Sequence, residues 1–140
     1  MRGTVAPLAA ATAAIALVCA GCADATPPAA DPGSPAASYS RTGPWGEGDD
    51  ALLQGTLALD DGCIVVVGPD GTVRTPVLPT DFRWDPGTET LSAFGVRLTV
   101  GEAVSLGGGG GADPSTLGGH VPGACSPSDE DGWFVVSSTA

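Results

Sequence analysis

The chain has 140 residues, with five Arg, no Lys and sixteen acidic residues, for a net charge of −11. Nucleic-acid phosphates select Lys and Arg, so this balance argues against a nucleic-acid partner. It argues equally against electrostatic adhesion to anionic lipid.

A single positive charge, Arg2, opens the chain, and an uncharged run follows from Gly3 to Cys22. Its strongly apolar part, Leu8 to Ala20, has the length of a signal-peptide core. A membrane-spanning helix needs about 20 apolar residues, and no charged stop-transfer cluster follows the run. The exit, Cys19-Ala20-Gly21-Cys22, resembles the lipobox of bacterial lipoproteins. The resemblance implies cleavage before Cys22, lipidation of its thiol by acyl chains such as palmitate, and a membrane anchor facing outside the cytoplasm. The absence of both Lys and Asn fits a GC-rich genome, such as an actinobacterium's, and the chain resembles small actinobacterial envelope lipoproteins. The competing reading is plain secretion, because Ala23-Asp24-Ala25 has the form of a general signal-peptidase site. Losing residues 1–21 removes Arg2 and no acid, so the side-chain net charge moves from −11 to −12.

Residues 22–48 read as a tether. Pro27, Pro28, Pro32, Pro35 and Pro44 stand among Ala, Ser and Gly, with no apolar periodicity. Tyr39 and Trp45 are expected to be solvated there. The folded domain is expected over 49–140. Leu53, Gly55, Leu57 and Leu59 alternate with Gln54, Thr56 and Ala58, which predicts a strand. Asp60-Asp61-Gly62 is a turn, and Cys63 to Val67 is a β-branched buried strand. Gly68-Pro69-Asp70-Gly71 is a second turn, and Thr72 to Leu78 a strand that Pro76 places at an edge or ends early. A corner at 81–87 leads to a hairpin of Glu89–Phe94 and Val96–Val100, then to Ala103–Leu106. Gly107 to Gly111 are expected to be irregular. Asp113 and Pro114 fit the cap and first position of one helical turn, and Trp133 to Val136 close the domain as a strand.

Six or seven short strands and almost no helix predict an all-β fold, either a small barrel or a sandwich. The strand–turn spacing loosely resembles the oligosaccharide- and oligonucleotide-binding (OB) barrels. Cys63 and Cys125 remain once Cys19 and Cys22 are set aside, and an even pair outside the cytoplasm predicts a disulfide. It would close a loop of about 62 residues and contribute roughly 4 kcal/mol in the chain-entropy model.

No catalytic set emerges. The single His120 lies in a Gly/Pro-rich loop, and no Ser occupies a nucleophile elbow. The glycine run lacks the Lys and Ser/Thr of a phosphate loop. Asp49-Asp50, Asp60-Asp61 and Asp129-Glu130-Asp131 match no calcium loop and read as solubilising turns. No metal or other cofactor is expected. Phe82, Trp84 and Trp133 are the candidate binding face, should they prove exposed. The sequence therefore predicts a non-catalytic envelope lipoprotein whose β domain binds an envelope protein partner. The alternatives are a small-ligand or carbohydrate-binding module and, behind it, a small hydrolase.

Overall fold

The structure is a computed structural model that describes Gly3 and residues 26–111, 113–127 and 132–140. The apolar run from Leu8, the lipobox with Cys22, and the acids at 129–131 lie outside the described residues. Among the described residues no helix is long and apolar enough to cross a membrane.

The fold is all-β. Among the described residues nine strands run in chain order: β1 (Ala37–Tyr39), β2 (Ala51–Asp60), β3 (Cys63–Val67), β4 (Val73–Pro79), β5 (Arg83–Asp85), β6 (Thr90–Ala93), β7 (Val96–Thr99), β8 (Ala103–Gly111) and β9 (Trp133–Thr139). β2 pairs with β3, β3 with β4, β4 with β9, β9 with β8, and β8 with β2. Hydrogen bonds thus pass around a closed five-stranded ring. The closing pair, β4 with β9, is parallel, in the register Thr75↔Trp133 to Val77↔Val135. Counting ring strands along the chain, the order around the barrel is first, second, third, fifth, fourth. Closure removes sheet edges wherever pairing is complete.

The expected alternation of β2 is what fills the barrel. Leu53 and Leu57 are buried with Ile64 and Val66 of β3, Leu78 of β4, Leu106 of β8, and Phe134 and Val136 of β9. Burying each such side chain contributes roughly 1.5–3 kcal/mol. Leu59, at the far end of the same face, is 39 % exposed. The β5–β6–β7 meander plugs one side of this core with Leu91 and Leu98. A second core lies on the opposite faces of the same strands. There Cys63, Val65, Val77 and Trp133 pack with Ala37 and Cys125. Two further coverings close over it, β1 and the segment 113–127.

Two tight turns have positive φ at both central residues: Asp61 (47°) and Gly62 (91°), then Phe94 (52°) and Gly95 (73°). This twist matches that of the flanking strands, so each turn fixes a two-residue hairpin. After β8 a single 3-10 turn spans Pro114–Leu117, with the Asp113 side chain accepting from the Ser115 amide. That is the capped turn which the sequence predicts.

Three expectations are corrected. Residues 107–111 are not irregular; they form half of β8, paired from Gly107↔Ser138 to Gly111↔Trp133 with a register shift between Gly107 and Gly108. At Gly107 and Gly108 it is close approach, rather than φ, that favours glycine. A Cβ on Gly108 would strike the Val135 carbonyl oxygen, and one on Gly107 the Ser138 hydroxyl. The tether does not extend to residue 48. Ala37 is fully buried, β1 pairs in parallel with β4, and Ile64 N–H donates to Pro35 C=O at 2.9 Å. Small residues at 36–38 let this segment lie flat on the barrel. Finally, Pro76 neither ends β4 nor lies at an edge. It stands between Arg74, where pairing with β3 ends, and Val77, where pairing with β1 begins, so its missing N–H is tolerated.

Candidate functional site

The three aromatic residues expected to form one binding face do not form one. Phe82 is 4 % exposed within the barrel core, and Trp133 is 7 % exposed in the second core. Trp84, on β5, is half-buried against the barrel core. Alternation explains this: Trp133 points away from the barrel interior, and the segment 113–127 closes over that face. The Cys63–Cys125 disulfide staples this covering to β3, with S–S 2.01 Å and Cα–Cα 5.1 Å. The backbones also bond directly, Ser38 N–H to His120 C=O at 2.8 Å and His120 N–H to Ser38 C=O at 3.1 Å. His120 thus takes part through its main chain in holding the cover down. Gly119 permits the approach, because a Cβ there would meet the Ser38 carbonyl. The face so covered is the outer side of β3, β4 and β9. Here the chain's own segment occupies much of it, leaving a cleft of about 280 Å³ bordered by Asp60, Val73, Thr75 and Ser126.

A different aromatic group reaches the surface. The segment after β1 turns back over the barrel, and Trp45 stacks on Phe94 with ring centroids 4.8 Å apart and planes 9° apart. Phe82 meets both rings edge-on, at 5.6 Å and 5.9 Å. The Arg41 guanidinium lies 5.2 Å from the Phe94 centroid. Arg41 is itself fixed by a two-pronged pair with Asp81, Nε to Oδ2 at 2.9 Å and Nη2 to Oδ1 at 3.2 Å, and by the Gly43 carbonyl at 3.0 Å. The hydrogen bond to Asp81 raises the guanidinium pKa above its already high value, so Arg41 is a permanent cation. Phe94 is the tip of the β6–β7 hairpin and remains 39 % exposed. An aromatic residue in the left-handed region costs roughly 1–2 kcal/mol, which Gly, Asn or Asp would largely avoid.

Beside this platform is a cleft of about 220 Å³ lined by Tyr39, Arg41, Trp45, Glu47 and Ser137. Tyr39 donates its hydroxyl to the Val136 carbonyl at 2.8 Å. Burial raises its pKa, and the opposing effect of the Arg41 charge is smaller. Ser137 Oγ is buried in this wall, with no hydrogen-bond partner among the described residues.

Arg41, Trp45 and Phe94 are site residues that the sequence does not mark as such. The first two fell in the expected tether, and Phe94 was counted as a strand residue. A signal was present in the Phe-Gly pair between Thr90–Ala93 and Val96–Thr99, the two-residue spacing of a tight hairpin. Among the described residues no group of three His, Cys, Asp or Glu side chains could hold a metal ion. Comparison with known protein families, characterised proteins and solved structures finds no match to this chain.

Proposed function

We propose that this chain is a non-catalytic envelope lipoprotein, anchored through Cys22 outside the cytoplasmic membrane, whose β domain binds an envelope protein partner. The observation that carries the reading is Phe94: a large ring kept at a strained hairpin tip, clamped by Trp45 and Arg41, and left exposed. Aromatic and Arg anchors held on a rigid platform are the composition of interface hot spots. The net charge of −11 directs the expectation toward a partner with a basic face.

The chain has no Lys, so amine crosslinkers are of little use and a photoreactive residue is needed. Benzoylphenylalanine in place of exposed Arg97, on the strand after the tip, is expected to capture one dominant protein in the native membrane. Phe94→Asn relieves the backbone strain and loses the stack, worth roughly 0.5–1.5 kcal/mol, so stability should change by less than about 1 kcal/mol. Capture should nevertheless fall at least about tenfold, the consequence of losing one hot-spot anchor. Unchanged capture by the folded Phe94→Asn chain would sink the reading.

A second reading, a small-ligand or carbohydrate-binding module, draws on the orphaned Ser137 hydroxyl in the cleft between Trp45 and Glu47. Tryptophan fluorescence across a panel of wall glycans separates the two, since Trp45 would respond only in this case.

A further inference from the structure

Among the described residues the barrel wall has an unpaired stretch in β2. At Gly55 of β2 a Cβ would strike the Val67 carbonyl oxygen, and near this point the strand passes from one neighbour to the other. Thr56 to Asp60 pair with β3, whereas Ala51 to Thr56 pair with β8. The first half of β2 has no strand on its other side.

Hydrogen-bond parity identifies the groups left over. Asp60 and Cys63 close a two-residue hairpin, so Asp60, Ala58 and Thr56 direct their main-chain groups toward β3. Leu57 bonds the other way, its N–H to Glu102 C=O at 3.0 Å and its C=O to Gly101 N–H at 2.8 Å. Extending the alternation, Leu53 and Gly55 face β8, while Leu52 and Gln54 face the open side. Among the described residues nothing bonds the N–H or C=O of Leu52 or Gln54 there. The space opposite is a groove of about 340 Å³ between Leu52–Gln54 and the β3–β4 turn, with Pro69, Asp70 and Arg74 on its far wall. Leu52 is 53 % exposed, and Val73, just before Arg74, is 43 % exposed. Asp50 precedes the edge and Asp70 lies across it, two acids against one Arg74, while the Asp49 carboxylate lies over Gly109 of β8 on the other side of β2.

From this we infer that Leu52–Gln54 is a strand-addition site for an extended segment of a protein partner, apolar at its centre and flanked by Lys or Arg. The inference rests on the partner reading above and assigns it a second contact. Two residues of free edge offer two donors and two acceptors, the pattern that a peptide strand satisfies by its main chain. Exposed Leu52 supplies the side-chain specificity, and the Asp50 and Asp70 carboxylates select the flanking charge. Natural sheets normally blunt such an edge with Lys, Pro or a bulge, and β2 carries none of these at Leu52–Gln54.

Amide hydrogen exchange on the full chain tests this, with a blocked Lys-Thr-Val-Thr-Val-Lys peptide as probe and the same peptide bearing Glu at both ends as control. Leu52 and Gln54 amides are expected to exchange fast in the free chain while Leu53 is protected. The Lys peptide should slow both by at least roughly tenfold, and the Glu peptide should do so less. Leu52→Pro removes a donor that β8 does not use, so the fold should survive and the peptide effect should disappear. Slow exchange in the free chain, protection that rises with protein concentration alone, equal action of both peptides, or full peptide binding by Leu52→Pro would each overturn the proposal. A partner captured at position 97 with no protection at Leu52 would leave the partner reading standing and remove the edge. Protection at Leu52 with no captured partner would do the reverse.

Discussion

The two cores of this domain are built from opposite faces of the same strands, yet they are held by different means. Inside the barrel, Leu53, Leu57, Ile64, Val66, Leu106 and Val136 are kept together by a ring of backbone pairing that closes on itself. Outside it, Cys63, Val65, Val77 and Trp133 are covered by a three-residue strand and an irregular segment, and the cover is fastened by one disulfide. The first core is a property of topology. The second depends on a covalent bond because its lid has little regular structure of its own. If so, damage to ring closure should unfold the molecule, whereas damage to the fastening should loosen one face.

The largest expected effect is at the glycine half of β8. Gly108→Ala places a Cβ against the Val135 carbonyl, a backbone atom that cannot move without breaking the β8–β9 pairing. A loss of more than about 3 kcal/mol is expected, because overpacking here strains the main chain itself. Gly110→Ala, two residues on and with nothing within 4 Å of its Cβ, should be neutral or slightly stabilising. Urea titration of the pair checks this. Equal effects would mean that the run is tolerant of side chains and that ring closure does not depend on it.

Next is the fastening. Replacing both Cys63 and Cys125 by Ser removes a crosslink between residues 62 apart. The chain-entropy model gives a loss of roughly 4 kcal/mol. The loss should be uneven. Main-chain amides that bond across the cover, such as Ser38 and His120, should exchange faster than those of Leu57 and Val66. Uniform acceleration across both sets would make the two cores a single cooperative unit and end the distinction drawn between them.

The same contrast explains what the sequence revealed. The barrel strands were readable because alternation in Leu53–Leu59 and the β-branched run Ile64–Val67 report burial directly, and Asp61-Gly62 carries its own turn chemistry. The Cys63–Cys125 bond was readable by elimination. The five glycines were not, since β-propensity treats Gly as a breaker. What requires glycine at Gly107 and Gly108 is the nearness of Ser138 and Val135, more than twenty residues away along the chain. β1 was hidden for a similar reason: Ala37 and Ser38 are small because they must lie against β4 and the segment carrying His120, yet small residues beside prolines read as linker. The aromatic platform was half visible. Its residues were counted, but Arg41 and Trp45 join Phe94 only when the supposed tether folds back onto the hairpin.

The smallest effect sharpens the comparison at the lid itself. The Asp113 carboxylate caps the turn Pro114–Leu117, accepting from the Ser115 hydroxyl at 2.6 Å and the Ser115 amide at 2.9 Å. These bonds, the hydroxyl's first, hold the Asp113 pKa below the ordinary carboxylate value. A depressed folded-state pKa means stabilisation that is fully present above the unfolded pKa and lost as pH falls through the folded one. Acid should therefore fray this turn. The Leu117 carbonyl accepts from Ser40 N–H at 2.9 Å, so the loss should pass to the join between the lid and the chain after β1. Asp70 shows the same depression, through its bonds to the Thr72 hydroxyl and amide, but it lies in the β3–β4 turn, which the ring supports. Amide shifts followed down in pH should show Ser115 and Ser40 moving together, while Asp70 protonates with little change at Val66 and Val67. Equal disturbance of the barrel strands would show that the lid's electrostatics reach the inner core, against the independence of the two.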